Sequence, residues 1–440
     1  MTQHASQQQS QQLSQKQSQQ RSRQASPLAQ AAQKAPLSRQ AVPPMPATFA
    51  SRGFLGEHIR SIMDFYLPKA MDHERGGYFQ AWRDDGTVYA PAARHLVSST
   101  RMVFNFAMEY LRSGDEQCLA ATRHGIDYLR DVHLDPQTGG YLWSLSEQGE
   151  ADHTNQCYGL AFVMLAYATA WRAGIEEARG WLEETRALME DKFWSPQAGL
   201  YADEASADWQ TLSDYRGQNA NMHACEAMLA AFEATDESHY LERAMTLASN
   251  ICQRQAAKAD GLIWEHYDRD WNVDWDYNRD DPKNLYRPWG FQPGHLTEWA
   301  KLLLMLRRHR DDAWLLPTAQ RLFDTAMDLA WDSERGGIYY GFAPDGTICD
   351  DDKYFWVQAE SLVAAALLHE ATGDSHYVEW YERLWGYAWQ HFIDHQYGAW
   401  YRLLNADNQR FDDLKSSPGA KCDYHSLGAC HELLRVITGD

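Results

Sequence analysis

Histidine recurs at one kind of position in this chain. "GQNANMHACEA" carries His223, "GFQPGHLTEWAKLLL" carries His295 and "KCDYHSLGACHEL" carries His425, each at the opening of a helix-like apolar segment. Imidazole titrates at about 6.5 when unperturbed, so it can take and return protons near neutrality. Glu226 follows His223, and Glu298 follows His295, at i, i+3. That spacing puts each pair on one helical face, where a carboxylate fixes the tautomer of its imidazole and raises its basicity. Arg101 in "HLVSSTRMVF", Asn219 and Asn221 beside His223, and Trp356, Gln358 and Glu360 in "KYFWVQAESL" stand at corresponding helix starts. The set suits proton transfer next to a carbonyl: imidazoles move protons, and cations and N–H donors stabilise the enediolate charge. Each histidine alone reads equally well as a structural or exposed residue, and each Glu at i+3 as a surface pair or capping box. Three histidines in register within a repeat carry the reading. A required metal is disfavoured, because there is no HExxH and no close-spaced ligand pair.

These residues need a scaffold that brings distant segments together, and the sequence repeats. "ERGGYFQAWRDDGT" from Glu74 returns as "ERGGIYYGFAPDGT" from Glu334. Turn glycines followed by aromatics occur six times, at Gly77, Gly140, Gly199, Gly261, Gly337 and Gly398, a period of about 60 residues. Each reads as a hairpin, and each interval holds two helices. Helical periodicity places them near 54–67, 95–112, 115–132, 154–173, 175–192, 221–235, 237–254, 292–309, 313–331, 353–372, 375–391 and 424–438. "RSGDEQ", "ATDESHY" and "ATGDSHY" link paired helices, with Asp and Ser as caps. "YGLAFVMLAYATAW" and "AESLVAAALLHEA" are apolar all round, as helices packed on every side are. The expectation is an all-α (α/α)6 toroid of six inner and six outer helices, with short β-hairpins at one end; the alternative is an open solenoid. Residues 264–292, rich in Trp, Tyr and acids, read as an ordered lid.

Composition narrows the partners. The 440 residues carry a formal charge of −21, which repels nucleic acid and anionic membrane. No apolar run reaches the length of a membrane span. Seven scattered cysteines argue against a disulfide framework and for a reducing, cytoplasmic setting. The 18 Trp and 23 Tyr fit a large core or rings that stack on sugar. Residues 1–45 are Gln/Ser-rich without a signal-peptide core and read as a disordered tail; residues 46–440 read as one catalytic domain.

Taken in order, "NANMHACEA", "GFQPGHLTEWAKLL", "KYFWVQAES" and the closing "YHSL" resemble the N-acylglucosamine 2-epimerase superfamily over about residues 50–438. Within it, "PGHLTEWAKLL" looks most like the mannose isomerase and sulfoquinovose isomerase branch. The resemblance implies that His295 and His425 are the acid/base pair and that His223 polarises the sugar near O1 or O2. It also implies that Arg101, Tyr158, Asn219, Glu298 and Trp356 orient hydroxyls and stack the ring, and that Arg287 closes over the substrate from the lid. No metal, nucleotide or other cofactor is implied.

The expected reaction is D-mannose to D-fructose through a cis-enediol. His425 abstracts the C2 proton and returns it to C1; His295 opens the ring, with Glu298 holding its tautomer; the two histidines could exchange these roles. A sulfonated sugar would need clustered cations, which the acidic chain does not supply near the motifs. Other readings are a 2-epimerase of the N-acylglucosamine or cellobiose type, a glycoside hydrolase using carboxylates such as Asp276 and Asp280, and a non-catalytic sugar-binding module. The partner is a monosaccharide, and the protein a monomer or homodimer.

Overall fold

The computed structural model describes residues 41–439, so most of the expected Gln/Ser-rich tail lies outside the described residues. Among those residues there are twelve α-helices, in six outer–inner alternations. They are α1 (Arg52–Tyr66) and α2 (Leu96–Ser113), then α3 (Glu116–Tyr128) and α4 (Cys157–Arg172), then α5 (Ala178–Lys192) and α6 (Gln218–Thr235). They continue with α7 (Ser238–Ser249) and α8 (Pro293–Arg307), α9 (Leu315–Ala330) and α10 (Phe355–Thr372), and α11 (Ser375–His391) and α12 (Tyr424–Thr438). The expected helices all form. Those expected at 115–132 and 237–254 finish in π-turns, Leu129–His133 and Asn250–Gln255.

Burial separates the two rings as the sequence suggested. In α4 every residue from Gly159 to Ala170 is buried, whereas α9 buries one stripe, Leu315, Ala319, Leu322, Phe323, Ala326, Met327 and Ala330. A stripe on one face marks a helix with solvent behind it. The even-numbered helices pack on one another in sequence, and α12 packs on both α1 and α2. The last inner helix therefore meets the first, and an open solenoid is excluded. Tyr66 reaches across this seam to donate to Asp423 Oδ2 at 2.7 Å, and Asn105 Nδ2 donates to the carbonyl of Cys422 at 2.9 Å.

The paired helices are joined as capping chemistry predicts in two cases. Gly114 and Gly373 end α2 and α10 in the left-handed region at φ 70°, and Asp115 and Asp374 cap α3 and α11 through their side chains. In "ATDESHY" it is Asp236 that takes the left-handed position at φ 61°, and α7 has no side-chain cap.

The hairpins do more than expected. The two-residue strand before each inner helix pairs antiparallel with the hairpin of the next repeat: Arg94–His95 with Ser144–Leu145, Asn155–Gln156 with Glu204–Ala205, Arg216–Gly217 with His266–Tyr267, and Lys353–Tyr354 with Leu403–Leu404. Phe291 bridges Phe342 in the same way. Trp82–Arg83 of the first hairpin pairs with Leu414–Ser416 before the last inner helix, which closes the circle. A ring of backbone ladders thus sits over the N-terminal ends of the inner helices and fixes where those ends stand.

The repeated "ERGG" wording also finds its cause here. Asp72, Asp332 and Asp394 each open a turn by accepting two backbone N–H groups, from Glu74 and Arg75, Glu334 and Arg335, and Gln396 and Tyr397. A buried cation from the strand before the next inner helix then closes each turn: Arg94 on Asp72 at 2.6 Å, Lys353 on Asp332 at 2.7 Å and Lys415 on Asp394 at 2.5 Å. The same cations donate to the carbonyls of Gly76, Gly336 and Gly398. Gly337 is required twice: its φ is +87°, and a Cβ would lie 2.3 Å from Tyr387 Cζ.

Candidate active site

Because the ladders gather the starts of the inner helices, polar residues of the first turns come together at one end of the ring, around the space the inner helices enclose. In α8, Pro293 occupies the first turn, where its missing N–H costs nothing, and places His295 just inside the helix. Gly294 lies against Trp356 of α10 so closely that a Cβ would come within 2.5 Å of the indole. In α12, Asp423 precedes the helix in the left-handed region at φ 54° and is held by Lys421, Tyr66 and Ser426, which sets the direction of Tyr424 and His425.

The structure brings His295 and His425 to the same wall. The Trp356 ring centroid is 5.1 Å from that of His295 and 5.5 Å from that of His425. Residues 130 positions apart in the chain thus border one indole, which is the arrangement a single hexose requires. His223 joins from α6 through Tyr158, ring to ring at 5.1 Å.

Each imidazole leans on a carboxylate through Nδ1: His223 on Glu226 at 2.9 Å, His295 on Glu265 at 2.9 Å, and His425 on Glu360 at 2.6 Å. A carboxylate facing Nδ1 takes its hydrogen and leaves the Nε2 lone pair for the other side. The expected partner of His295 was Glu298, and this is corrected. The i, i+3 spacing does place Glu298 on the same face, but one turn deeper. Glu265, on the segment lying over the start of α8, reaches Nδ1 first; Gln218 Nε2 donates to the same Glu265 oxygen at 3.0 Å and holds it there.

Glu298 belongs instead to the floor of the cavity. Lys301, one further turn along α8, places its Nζ 2.7 Å from Glu360, 3.6 Å from Glu226 and 3.8 Å from Glu298. All four side chains are buried or nearly so. Burial works against charge on every carboxyl, but Lys301 and the His425 hydrogen bond bring Glu360 below its usual value, and Lys301 and His223 do the same for Glu226. Glu298 goes the other way: burial, with Glu360 beside it, holds its carboxyl well above the usual range. Both its oxygens lack a hydrogen-bond partner among the described residues. Burial thus favours the protonated form of Glu298, which can donate to a hydroxyl or a developing alkoxide.

Burial pushes both His223 and His425 down to about 4 against the pull of their carboxylates. The expectation of a base poised near neutrality is therefore revised for His425. It is a free base throughout the neutral range, and what it lacks in proton affinity must be met by stabilising the charge it creates.

Arg101 is placed to do that. Its guanidinium lies over the rings of Phe162 and Tyr424, 4.3 and 4.9 Å from their centroids, donates to Tyr158 Oη at 3.0 Å, and keeps Nε without a partner among the described residues. Asn219, in the first turn of α6, has a buried amide oxygen without a partner among the described residues. Arg287 stacks on Tyr215 at 3.9 Å, donates to Tyr277 and pairs with Glu204; these contacts hold it in the lid. Asn221 and Gln358, which stood among the polar helix starts, serve the scaffold. Asn221 clamps both backbone groups of Tyr201, and Gln358 those of Ile338. The lid acids Asp276 and Asp280 are exposed, Asp276 pairing with Arg279, so they do not form the opposed carboxylates a glycoside hydrolase needs.

The functional groups missed from the sequence are Glu265 and Lys301. A lysine inside "EWAKLLL" reads as a surface residue; its i, i+3 relation to Glu298 was the available signal. Glu265 is 30 residues from His295 and carries none.

Comparison with known proteins agrees with this geometry. The family model described as N-acylglucosamine 2-epimerase matches residues 77–429. The D-mannose isomerase of Marinomonas mediterranea is 55% identical over 391 residues, 89% of this chain and 98% of that protein. The D-mannose isomerase of Thermobifida fusca is 35% identical over 82% of this chain and 88% of its own. A crystal structure of a D-mannose isomerase superposes with a TM-score of 0.87 at 55% identity, covering 89% of this chain and all of that one.

Proposed function

The chain belongs to the N-acylglucosamine 2-epimerase family, and from that premise we propose that it is an aldose–ketose isomerase interconverting D-mannose and D-fructose. The observation that carries the reading is the pair of imidazoles, His295 and His425, bordering Trp356, each with Nδ1 committed to a carboxylate. Two of the relatives described above are, by name, D-mannose isomerases.

The steps follow from the groups present. Mannose opens as His295 Nε2 takes the O1 hydroxyl proton and the imidazolium so formed delivers it to the ring oxygen, which leaves the C1 carbonyl and a neutral His295. His425 Nε2 then removes the C2 proton, and electrons move into the C1 carbonyl to form a cis-enediol whose oxygen charge is shared by Arg101 and the neutral Glu298. The O2 hydroxyl proton passes to O1 by way of His295 Nε2, His425 returns its proton to C1 as the C2 carbonyl forms, and both imidazoles end neutral, so that atoms and charge balance. Trp356 offers the flat face for the sugar. Lys301 is taken up by Glu360 and Glu226, and Arg287 by Glu204, which suits an uncharged hexose over a sulfonated one.

The same two imidazoles also favour a second reading, 2-epimerisation, in which the second base returns the proton to C2 from the opposite side. Incubating mannose with the protein in D₂O, read by NMR, decides between them. Fructose with label at C1 supports the isomerase; glucose with label at C2 and no fructose supports the epimerase. Neither product over a no-enzyme control overturns both.

A further inference from the structure

Beneath the sugar cavity lies a buried ammonium that the reaction scheme above does not use. We propose that Lys301 is the positioning residue of this site, a single cation that holds Glu360 and Glu226 as hydrogen-bond acceptors and so fixes His425 and His223 in the tautomer with Nε2 free. The proposal deepens the isomerase reading and rests on it for its kinetic arm.

The geometry is that of two relays sharing one origin. Lys301 Nζ touches one oxygen of Glu360 at 2.7 Å, and the other oxygen of Glu360 takes the Nδ1 hydrogen of His425 at 2.6 Å. On the other side, Lys301 stands 3.6 Å from one oxygen of Glu226, whose second oxygen meets His223 Nδ1 at 2.9 Å. Glu298 completes the group: its carboxyl lies within 4.8 Å of both the Glu226–His223 pair and the Glu360–His425 pair. The groups that face this cluster are Arg101 from α2, Tyr158 from α4, His223 and Glu226 from α6, Glu298 on the same helix as Lys301, and Tyr424 and His425 from α12. Lys301 is the cation in direct contact with Glu360.

Three carboxyls this close in a dry site cannot all ionise without a counter-charge. With Lys301 present, the shortfall falls on Glu298 alone, and Glu226 and Glu360 stay ionised. Without it, Glu360 takes up a proton at higher pH. A protonated carboxyl donates to Nδ1 where an ionised one accepts from it, so the imidazole proton moves to Nε2. That atom then faces the substrate carrying a hydrogen and is no base. Loss of the nearby positive charge also makes His425 itself easier to protonate. Both effects move in one direction: the acid side of the activity profile shifts to higher pH.

The test is Lys301→Met, which keeps the aliphatic stem and removes the charge, with Lys301→Gln as a second variant that keeps a donor. The expected result is kcat for mannose lower by about 10²-fold at neutral pH, KM within about threefold of the original, and the acid limb of kcat raised by about one pH unit or more. A profile that superimposes on the original, or one scaled down at every pH with its limb unmoved, overturns the proposal. A spectroscopic arm needs neither substrate nor a folded Lys301 variant. ¹⁵N NMR of the unaltered protein, with His425 assigned by its loss in His425→Asn, should show the proton on Nδ1, and a proton on Nε2 overturns the proposal. If the unaltered protein makes no fructose, the isomerase reading fails, while the tautomer measurement still decides this one.

Discussion

Two sets of buried charges in this molecule are built by opposite rules. Around the mouth, Asp72, Asp332 and Asp394 each meet one buried cation. Asp332 is typical: Oδ1 takes two backbone N–H groups, Oδ2 takes Lys353, and Lys353 spends its remaining donors on Gly336 and Asn408. At the cavity floor, three carboxyls share Lys301, both oxygens of Glu298 are unpartnered among the described residues, and so are Arg101 Nε and Asn219 Oδ1. A saturated pair in the interior holds a fold in one conformation. An unsaturated group costs free energy until something binds. The contrast lies in the carboxyls: both oxygens of Asp332 are partnered, and neither oxygen of Glu298 is among the described residues.

The sharpest way to break this comparison is to remove the base and leave its frame. In His425→Asn the amide can still donate toward Glu360, but nothing replaces the Nε2 lone pair. The expected loss in kcat is about 10⁴-fold, with the thermal melt close to the original. A variant that turns over normally would reject the assignment of His425 as the proton carrier; one that unfolds would place His425 with the scaffold.

The helices and the six turns were legible in the sequence because each carries a local signal: the apolar stripe of α9, the all-round apolarity of α4, a glycine before aromatics. The ring of ladders was not. A strand of two residues such as Lys353–Tyr354 has no period to detect, and its partner Leu403–Leu404 lies in the next repeat. The site divides in the same way. His223, His295, His425 and Trp356 were legible because equivalent positions in different repeats carry them. The Glu226 partner of His223 was legible because it sits on the same helix. The partners of His295 and His425 come from other elements, and only closure of the ring selects Glu265 over Glu298. Asn221 and Gln358 looked like site residues for a sound reason: the helix start that faces the cavity on one side faces the turn of the preceding hairpin on the other, and a polar side chain is needed at both.

The converse experiment disturbs the scaffold and spares the chemistry. Lys353→Met leaves Asp332 buried without its cation. Breaking such a pair from one side costs about 3–5 kcal/mol, read as a lower urea midpoint, while kcat per folded molecule should stay unchanged. Loss of turnover with full stability would mean that the turns tune the cavity, and the distinction between the two charge sets would fall.

The smallest expected effect distinguishes them most finely. Glutamine in place of a carboxylate removes a charge but keeps size and hydrogen-bonding capacity. At Glu298 the native group is already neutral, held well above its usual range by burial and by Glu360. Glu298→Gln should therefore lower kcat/KM by less than about tenfold. Its effect on stability should depend on pH, with a sign that follows from linkage. The folded protein keeps a proton on Glu298 that the unfolded chain releases above about pH 4.3, so this group costs the native protein progressively more as pH rises from there toward its folded value. The glutamine variant is free of that cost. Its stability relative to the original should be level at acid pH and increasingly favourable toward neutrality, measured by urea unfolding across that range. Asp332→Asn should do the reverse. That carboxyl is buried but drawn below its ordinary value by Lys353 and two backbone N–H groups, so its stabilisation is present above the unfolded value and lost as pH falls, and the asparagine variant should be at its worst near neutrality. Parallel pH curves for the two variants would show that Glu298 is ionised, and the cavity floor would then be one more saturated ion pair.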